Sequence, residues 1–260
     1  MSEERPERAP VEVAVGILIR KDGAILMGSR PEGKPYAGWW EFPGGKLEPG
    51  ESAEEALRRE LSEELDLRIG PSSPWISELL DYPHARVRLH FRRCWSWEGE
   101  PRAMERQSFG FYRRGSLPSG KLLPMDDRIA AWAGLPAVAA VIRAGAGVGE
   151  RIRSAAEEGA GLFWVEGDDE LPEVPSGSRI GRNGIFPGVS PDMPPLKGAM
   201  AGSLAEIREA AASGSDFAIL RAEAEALEAE PPIPAYVPAR SAGELHKAVA
   251  RGAHGVWLLR

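Results

Sequence analysis

The sequence has one cysteine, no long apolar segment and no excess of basic residues. Cys94 alone cannot form an internal disulfide, so we expect a reducing, cytoplasmic location. The first residues, MSEERPERAP, lack the apolar region of a secretory signal. The longest uncharged run, residues 129–142, is too short to cross a bilayer and contains Pro136. We therefore expect no membrane partner.

The net charge of −7 argues against sequence-independent binding of DNA or RNA, which requires a basic surface. It does not exclude a small phosphate-bearing substrate, because bound Mg²⁺ can invert the local field. The 43% hydrophobic and 27% charged residues are typical of a globular protein. At about 150 residues per domain, 260 residues predict one or two domains.

The second half of the chain contains a three-fold internal repeat. IRSAAEEGAGLFWVEG, IREAAASGSDFAILRA and LHKAVARGAHGVWLLR each combine a helical pattern, a glycine at the eighth place and a short apolar run. The glycines, Gly159, Gly214 and Gly252, suit the positive φ that follows a helix. The apolar runs are typical of parallel strands buried on both faces. Such α–Gly–β units predict a parallel α/β layer or barrel with about seven strands, beginning near residues 134–136.

The most informative stretch is GGKLEPGESAEEALRRELSEELDL, residues 44–67. Ser52 and Glu55 form the capping-box pattern of a helix start, and the helix is expected to run to about Leu65. Glu60, Glu63 and Glu64 then share one helix face, where three like charges repel each other. A divalent cation with oxygen ligands would relieve that repulsion. Arg59 lies one turn before Glu63 and is placed to hold a carboxylate.

This segment resembles the Nudix box, GX5EX7REUXEEXGU, in which U is an aliphatic residue. The matching positions are Gly45, Glu51, Arg59, Glu60, Leu61, Glu63, Glu64 and Leu67. Asp66 stands where the box has its second glycine. Because aspartate tolerates positive φ better than most residues, we expect only a small local cost there.

Residues 12–130 further resemble the MutT branch of that superfamily, the 8-oxo-dGTP diphosphatases. The resemblance is carried by VAVGILIRKDGAILMGSR, GWWEFPGGK, WEGEP before Glu105 and Gln107, and LLPMDD. It implies hydrolysis of a nucleoside triphosphate to the monophosphate and pyrophosphate with Mg²⁺, or alternatively Mn²⁺. The implied metal ligands are Glu60, Glu63, Glu64, Glu105 and the Gly44 carbonyl. Glu60 or Glu105 is the implied general base, with Arg59 beside them, and the implied substrate contacts are Arg30, Phe42, Tyr82 and Asp126.

Two departures concern base recognition. Asp126 replaces the asparagine that reads the base in the bacterial family, and Ala85 stands where an arginine is common. An ionised aspartate accepts hydrogen bonds but cannot donate one. We therefore hypothesise broader acceptance of purine triphosphates unless Asp126 is protonated.

The repeat region resembles a shortened thiamine-phosphate synthase, a TenI-like (β/α) barrel. LFWVEGD, AMAGS and PARSAGE lack the phosphate-binding residues of that family. In such barrels phosphate binds at the loops after strands seven and eight. We therefore expect no synthase activity and favour a scaffold, regulatory or dimerisation role.

The sequence thus predicts an α/β protein: a flexible segment 1–11, a Nudix α/β/α sandwich with a mixed sheet over 12–133, and a degenerate TIM-type (β/α) barrel over 134–260. The expected partner is a small nucleoside triphosphate, and a homodimer is one option for the assembly. Two other functions stay open. One is hydrolysis of another diphosphate, such as a thiamine pyrophosphate derivative. The other is a non-catalytic nucleotide sensor.

Overall fold

A computed structural model describes residues 9–81, 85–113, 116–167, 170–188, 195–222 and 230–260. Tyr82, expected at the nucleobase pocket, lies outside the described residues, as do residues 1–8 of the N-terminal segment. The chain divides into two compact units. The first comprises Met1–Ser72, Ser77–Arg113 and Pro118–Asp127, and the second comprises Ser73–Ile76, Arg114–Leu117 and Arg128–Arg260.

The N-terminal half is a mixed α/β structure built on small sheets. The strands are β1 (Val11–Leu18), β2 (Ile25–Ser29), β3 (Trp40–Glu41), β4 (Gly44–Lys46), β5 (Arg68–Ile69), β6 (Ser72–Asp81), β7 (Arg86–Cys94), β8 (Trp97–Glu98) and β9 (Phe109–Tyr112). A four-stranded sheet has the order β4-β1-β7-β6, in which β1 runs parallel to β7 and antiparallel to β4. A second sheet has the order β3-β2-β9, and β5 pairs with β8.

Helix α1 (Ala53–Leu65) follows β4 and confirms the predicted boundaries. The Ser52 hydroxyl accepts from the Glu55 amide, and the Glu55 carboxylate accepts from the Ser52 amide, which completes the capping box. Leu57, Leu61 and Leu65 are buried in the core of this half, as their spacing predicts. Asp66 ends the helix in the left-handed region at φ 53°, so aspartate adopts the conformation for which the family motif has glycine.

The C-terminal half contains a closed eight-stranded barrel. Its strands are β10 (Val138–Arg143), β11 (Leu162–Glu166), β12 (Arg179–Arg182), β13 (Ile185–Phe186), β14 (Leu196–Ala201), β15 (Phe217–Leu220), β16 (Ala235–Pro238) and β17 (Gly255–Leu259). The short strand β13 is antiparallel to both of its neighbours, whereas all other pairs are parallel. Seven co-directional strands therefore close through the antiparallel strand β13, and the barrel has eight strands rather than the expected seven.

The helices of the repeat precede the expected strands. Helix α2 (Asp126–Ala133) comes before the barrel, and α3 (Val148–Glu157), α4 (Leu204–Ala212) and α5 (Leu245–Ala250) lead into β11, β15 and β17. Gly159, Gly214 and Gly252 follow these three helices with φ of 94°, 77° and 97°. The positive φ predicted from the repeat is therefore confirmed.

Aromatic side chains pack inside the barrel unit. Phe186 and Phe217 contact each other at 5.4 Å between ring centroids, and Tyr236 lies 5.8 Å from Phe217. All three side chains are fully buried. Across the described ranges, no helix is both long and apolar enough to span a membrane.

Candidate active site

The Gly44–Gly45 pair lets strand β4 lie against helix α1. A Cβ atom on Gly45 would fall 2.1 Å from the Glu60 carboxyl carbon. Gly44 has φ of 151°, and a Cβ atom there would lie 2.1 Å from the Ala14 carbonyl oxygen. Side chains at these positions would displace Glu60 or β1, so both close approaches require glycine.

Arg59 organises the carboxylates at the start of the site. Its Nε and Nη2 atoms donate to the two Glu51 oxygens at 3.0 and 2.9 Å. Its Nη1 atom donates to Glu60 Oε1 at 2.8 Å and lies 3.5 Å from Glu63 Oε2. Nη2 also donates to the Lys46 carbonyl at 2.9 Å. Arg59 thus binds Glu51, Glu60 and the Lys46 carbonyl at the same time.

The three helix glutamates differ in exposure. The Glu60 and Glu64 side chains are 17% and 19% exposed, whereas that of Glu63 is 63% exposed. Burial raises the pKa of Glu64 to about 7, and the Glu105, Glu60 and Glu41 carboxylates add to the effect, while Lys34 opposes it. Glu64 therefore lies among like charges in a poorly hydrated place, a setting that favours binding of a cation.

The loop that carries Glu105 is attached to the C-terminal end of α1. The Met104 amide and the Gln107 side-chain amide both donate to the Glu64 carbonyl, at 3.1 Å each. The Gln107 carbonyl oxygen in turn accepts from the Glu105 amide at 2.9 Å. Gln107 thus places Glu105 beside the helix glutamates, although the two regions are about forty residues apart in sequence.

A cationic side chain links Glu105 to α1. Lys34 Nζ donates to Glu105 Oε2 at 2.7 Å and lies 3.9 Å from Glu64 Oε1. These three residues share one pocket with Glu41. Its remaining lining residues are Leu26, Met27, Gly28, Ser29, Pro31, Pro43, Leu65, Gln107 and Phe109.

The donor chemistry of this region suits a hard divalent cation. Glu60, Glu64 and Glu105 offer carboxylate oxygens, and Gly44 on β4 offers a backbone carbonyl; these are the ligand types that Mg²⁺ prefers. No three acidic, histidine or cysteine side chains of the described ranges converge tightly enough to form a metal cluster. Arg59 and Lys34 form ion pairs with Glu60 and Glu105 at 2.8 and 2.7 Å.

A second group of expected residues lies where β3 leads into β4. Segment 121–123 pairs with Trp40 through bonds of 2.7 and 2.9 Å and leads directly to Asp126. Asp126 Oδ2 accepts from the Phe42 amide at 3.2 Å, and both side chains are buried. Burial raises the pKa of Asp126 well above its usual range, which favours the neutral form of its carboxyl.

Arg30 lies at the start of the loop that precedes β3. It forms an ion pair with Glu41 and donates to the Pro35 carbonyl at 2.7 Å. Burial raises the pKa of Glu41, and the Arg30 charge opposes that rise. Arg30 is therefore joined to the pocket through Glu41.

Sequence reasoning missed Lys34 and Glu41. Both are charged residues in the 30–42 segment, where a charged side chain is usually solvated and no spacing pattern marks a site. Their proximity to Glu64 and Glu105 depends on how the loop folds back. Glu41 lies three residues before the glycine pair, which was a weak signal, whereas Lys34 lies ten residues before it.

Comparisons with known proteins agree on the N-terminal half. Residues 10–133 match the NUDIX domain family. The 8-oxo-dGTP diphosphatase of Haemophilus influenzae is 32% identical over 119 residues, which cover 46% of this chain and 88% of that protein. The CTP pyrophosphohydrolase of Escherichia coli is 37% identical over 94 residues, which cover 36% of this chain and 70% of that protein.

A solved structure from a study of MutT from Aliivibrio salmonicida and Vibrio cholerae is 28% identical, with a TM-score of 0.42, and covers 48% of this chain and 97% of that one. The sequence relationship to the Haemophilus influenzae protein extends over nearly all of that protein. Through residues 10–133, this chain belongs to the Nudix domain family.

Proposed function

We propose that the chain is a MutT-like, Mg²⁺-dependent nucleoside triphosphate pyrophosphohydrolase. It cleaves 8-oxo-dGTP or a related purine triphosphate to the monophosphate and pyrophosphate. The observation that carries this proposal is that Glu105, from a distant loop, lies in the same pocket as Glu64 on α1, with Lys34 close to both carboxylates. The named activity of the Haemophilus influenzae relative supports the same substrate class.

Each proposed metal ligand is an oxygen donor. Glu60, Glu63, Glu64, Glu105 and the Gly44 carbonyl would hold the ion. A bound divalent metal ion supplies charge neutralisation at the phosphates and acidifies the attacking water. Glu60 or Glu105 accepts the proton of that water. Arg59 orients Glu60 through the 2.8 Å bond to Oε1.

Asp126 is the proposed reader of the base, together with Arg30, Phe42 and Tyr82. In the neutral form its carboxyl can donate one hydrogen bond and accept another, as an asparagine does. The raised pKa of Asp126 therefore supports selectivity for an oxidised guanine over the broader acceptance expected for an ionised side chain. The similarity to a CTP pyrophosphohydrolase makes pyrimidine triphosphates a necessary part of any test.

The decisive experiment is pyrophosphate release over a panel of triphosphates with Mg²⁺. The panel contains 8-oxo-dGTP, dGTP, 2-oxo-dATP and CTP. Thiamine diphosphates, the competing substrate class, are followed by orthophosphate release, because cleavage of their single anhydride yields the monophosphate and orthophosphate. We expect kcat/KM to be highest for 8-oxo-dGTP. A ratio to dGTP above about 10³, roughly 4 kcal/mol, would overturn the broad-purine hypothesis.

Glutamine variants test the carboxylates in the same assay. Glu60→Gln and Glu64→Gln should reduce turnover more than Glu63→Gln, because the Glu63 side chain is the most exposed of the three. Glu157→Gln, on an exposed part of α3, is the matched control. Undiminished turnover in all three site variants would contradict the metal role, and no turnover of any substrate by the natural protein would favour a sensor.

For the C-terminal barrel we propose a degenerate TenI-like (β/α) module without synthase activity. The packed aromatic interior supports a structural role, since Phe186, Phe217 and Tyr236 are fully buried there. We further propose that the chain forms a homodimer and is located in the cytoplasm. Sedimentation at several protein concentrations tests the dimer, and fractionation of cells that express the full chain tests the location.

A further inference from the structure

Lys34 occupies an unusual position, because its ammonium group lies between two proposed metal ligands. Its Nζ atom is 2.7 Å from Glu105 Oε2 and 3.9 Å from Glu64 Oε1. The two carboxylates come from different parts of the chain and repel each other. A cation between them is the simplest way to hold them together when no metal is bound.

The backbone around Lys34 is anchored at both ends of its loop. The Arg30 amide donates to the Trp39 carbonyl at 2.8 Å, and the Gly38 amide donates to the Arg30 carbonyl at 2.9 Å. The Arg30 side chain adds a bond to the Pro35 carbonyl. Lys34 lies at the tip between these bonds, with its side chain 44% exposed. The ammonium can therefore move by side-chain rotation while the loop stays in place.

We propose that Lys34 is a built-in counter-ion that pairs with Glu105 and Glu64 in the metal-free protein and contacts the substrate's polyphosphate once a metal has taken its place. A divalent ion that uses Glu64 and Glu105 as ligands removes the partners of the ammonium. The nearest new anion is then the polyphosphate bound to the same ion. Lys34 is thus a positioning residue for the carboxylates and a binding residue for the phosphates. Only the second part of this inference, the contact between Lys34 and the polyphosphate, rests on the proposed function.

Metal binding to the nucleotide-free protein tests the first part. Mn²⁺ is titrated into the full chain and followed by electron paramagnetic resonance. In Lys34→Met the ion no longer displaces an ammonium, so the Kd for Mn²⁺ should fall about two- to fivefold, the range expected for a partly exposed ion pair. Lys21→Met, which removes the same charge from an exposed turn, is the matched control and should leave the Kd unchanged. Equal or weaker Mn²⁺ binding by Lys34→Met relative to Lys21→Met overturns the counter-ion role.

Steady-state kinetics test the second part. In Lys34→Met the KM for the metal–nucleotide complex should rise about tenfold with a smaller change in kcat, and Lys34→Arg should restore most of the affinity. An unchanged KM overturns the phosphate contact.

If the natural protein turns over no nucleotide, the proposed function and the phosphate contact both fail, and the Mn²⁺ titration still decides the counter-ion role. If the natural protein turns over nucleotide but Lys34→Met and Lys21→Met bind Mn²⁺ equally tightly, the counter-ion role alone is overturned. Circular dichroism confirms that each variant is folded.

Discussion

The Arg59 guanidinium binds both carboxylate oxygens of Glu51, with Nε–Oε1 and Nη2–Oε2 distances of 3.0 and 2.9 Å. Glu51 Oε2 also accepts from the Glu48 amide at 2.9 Å. This bidentate pair joins the turn before α1 to the helix itself. It leaves Nη1 of Arg59 directed at Glu60. Glu51, eight positions before Arg59, therefore helps to orient a proposed metal ligand through that arginine.

Arg59→Lys should separate charge from geometry. Lysine keeps the positive charge but cannot bind Glu51 and Glu60 with one planar fork. Loss of such a supporting contact is expected to reduce turnover about ten- to a hundredfold. Pyrophosphate release at saturating Mg²⁺ measures the effect. Arg102→Lys is the control, because the Arg102 side chain is 72% exposed and donates to the helix-ending Asp66 at 3.2 Å. Equal turnover in the two variants would contradict the orienting role.

Gly45→Ala should displace Glu60 without unfolding the domain. The added methyl group would lie 2.1 Å from the Glu60 carboxyl carbon, so the side chain must move away from β4. A displacement of about 1 Å at a catalytic group can cost roughly a hundredfold in rate. Kinetics with 8-oxo-dGTP, together with a Mn²⁺ titration, measure the loss. Retention of both full rate and metal affinity would show that Glu60 has no fixed role.

Asp126→Asn should change how stability depends on pH. The pKa of Asp126 is raised by burial, so the folded protein binds a proton that the unfolded chain has released above about pH 4. Stability of the natural protein therefore falls as pH rises from there toward the folded pKa, by about 1.4 kcal/mol for each unit of elevation. Asparagine cannot ionise, so the stability of the variant does not fall with pH for this reason.

Urea unfolding of both proteins between pH 4 and pH 8 measures the difference. The free energy of unfolding of Asp126→Asn relative to the natural protein should increase with pH. A constant difference would show that Asp126 is ionised in the folded protein, and base recognition through a neutral carboxyl would then be excluded.

Gly198→Ala tests the packing of the barrel. A Cβ atom on Gly198 would lie 2.5 Å from the Phe217 ring and 2.8 Å from that of Trp164. Overpacking of this kind typically costs about 1–3 kcal/mol. Calorimetry should show a lower unfolding temperature, while Gly149→Ala, whose Cβ atom meets only the flexible end of Arg153 at 3.6 Å, should raise it slightly. An unchanged unfolding temperature in Gly198→Ala would show that the barrel interior accommodates the added methyl group without loss of stability.

Local interactions made several features predictable. The capping box at Ser52, the leucine stripe of α1 and the positive φ of Gly159 depend on residues within one or two helical turns. The same holds for Asp66, which adopts the left-handed conformation. Patterns of this range are visible in sequence because the interacting groups keep a fixed spacing.

The hairpin in the barrel was not predictable in the same way. The barrel has eight strands, one more than the expected seven, and its closure depends on β13, a strand of two residues. Its pairing partners are fixed by the shape of the completed barrel. A two-residue run carries no periodic signal, so sequence alone could not identify it.

The sequence by itself determined the family motif, the helix that carries Glu60, Glu63 and Glu64, and the role of Arg59 in holding a carboxylate. Only the tertiary structure decided that Lys34 lies between Glu64 and Glu105 and that Asp126 is buried against the Phe42 amide. The physical reason is that charge neutralisation and burial depend on groups brought together from distant parts of the chain. Their energies arise from three-dimensional distance and hydration, which residue spacing does not encode.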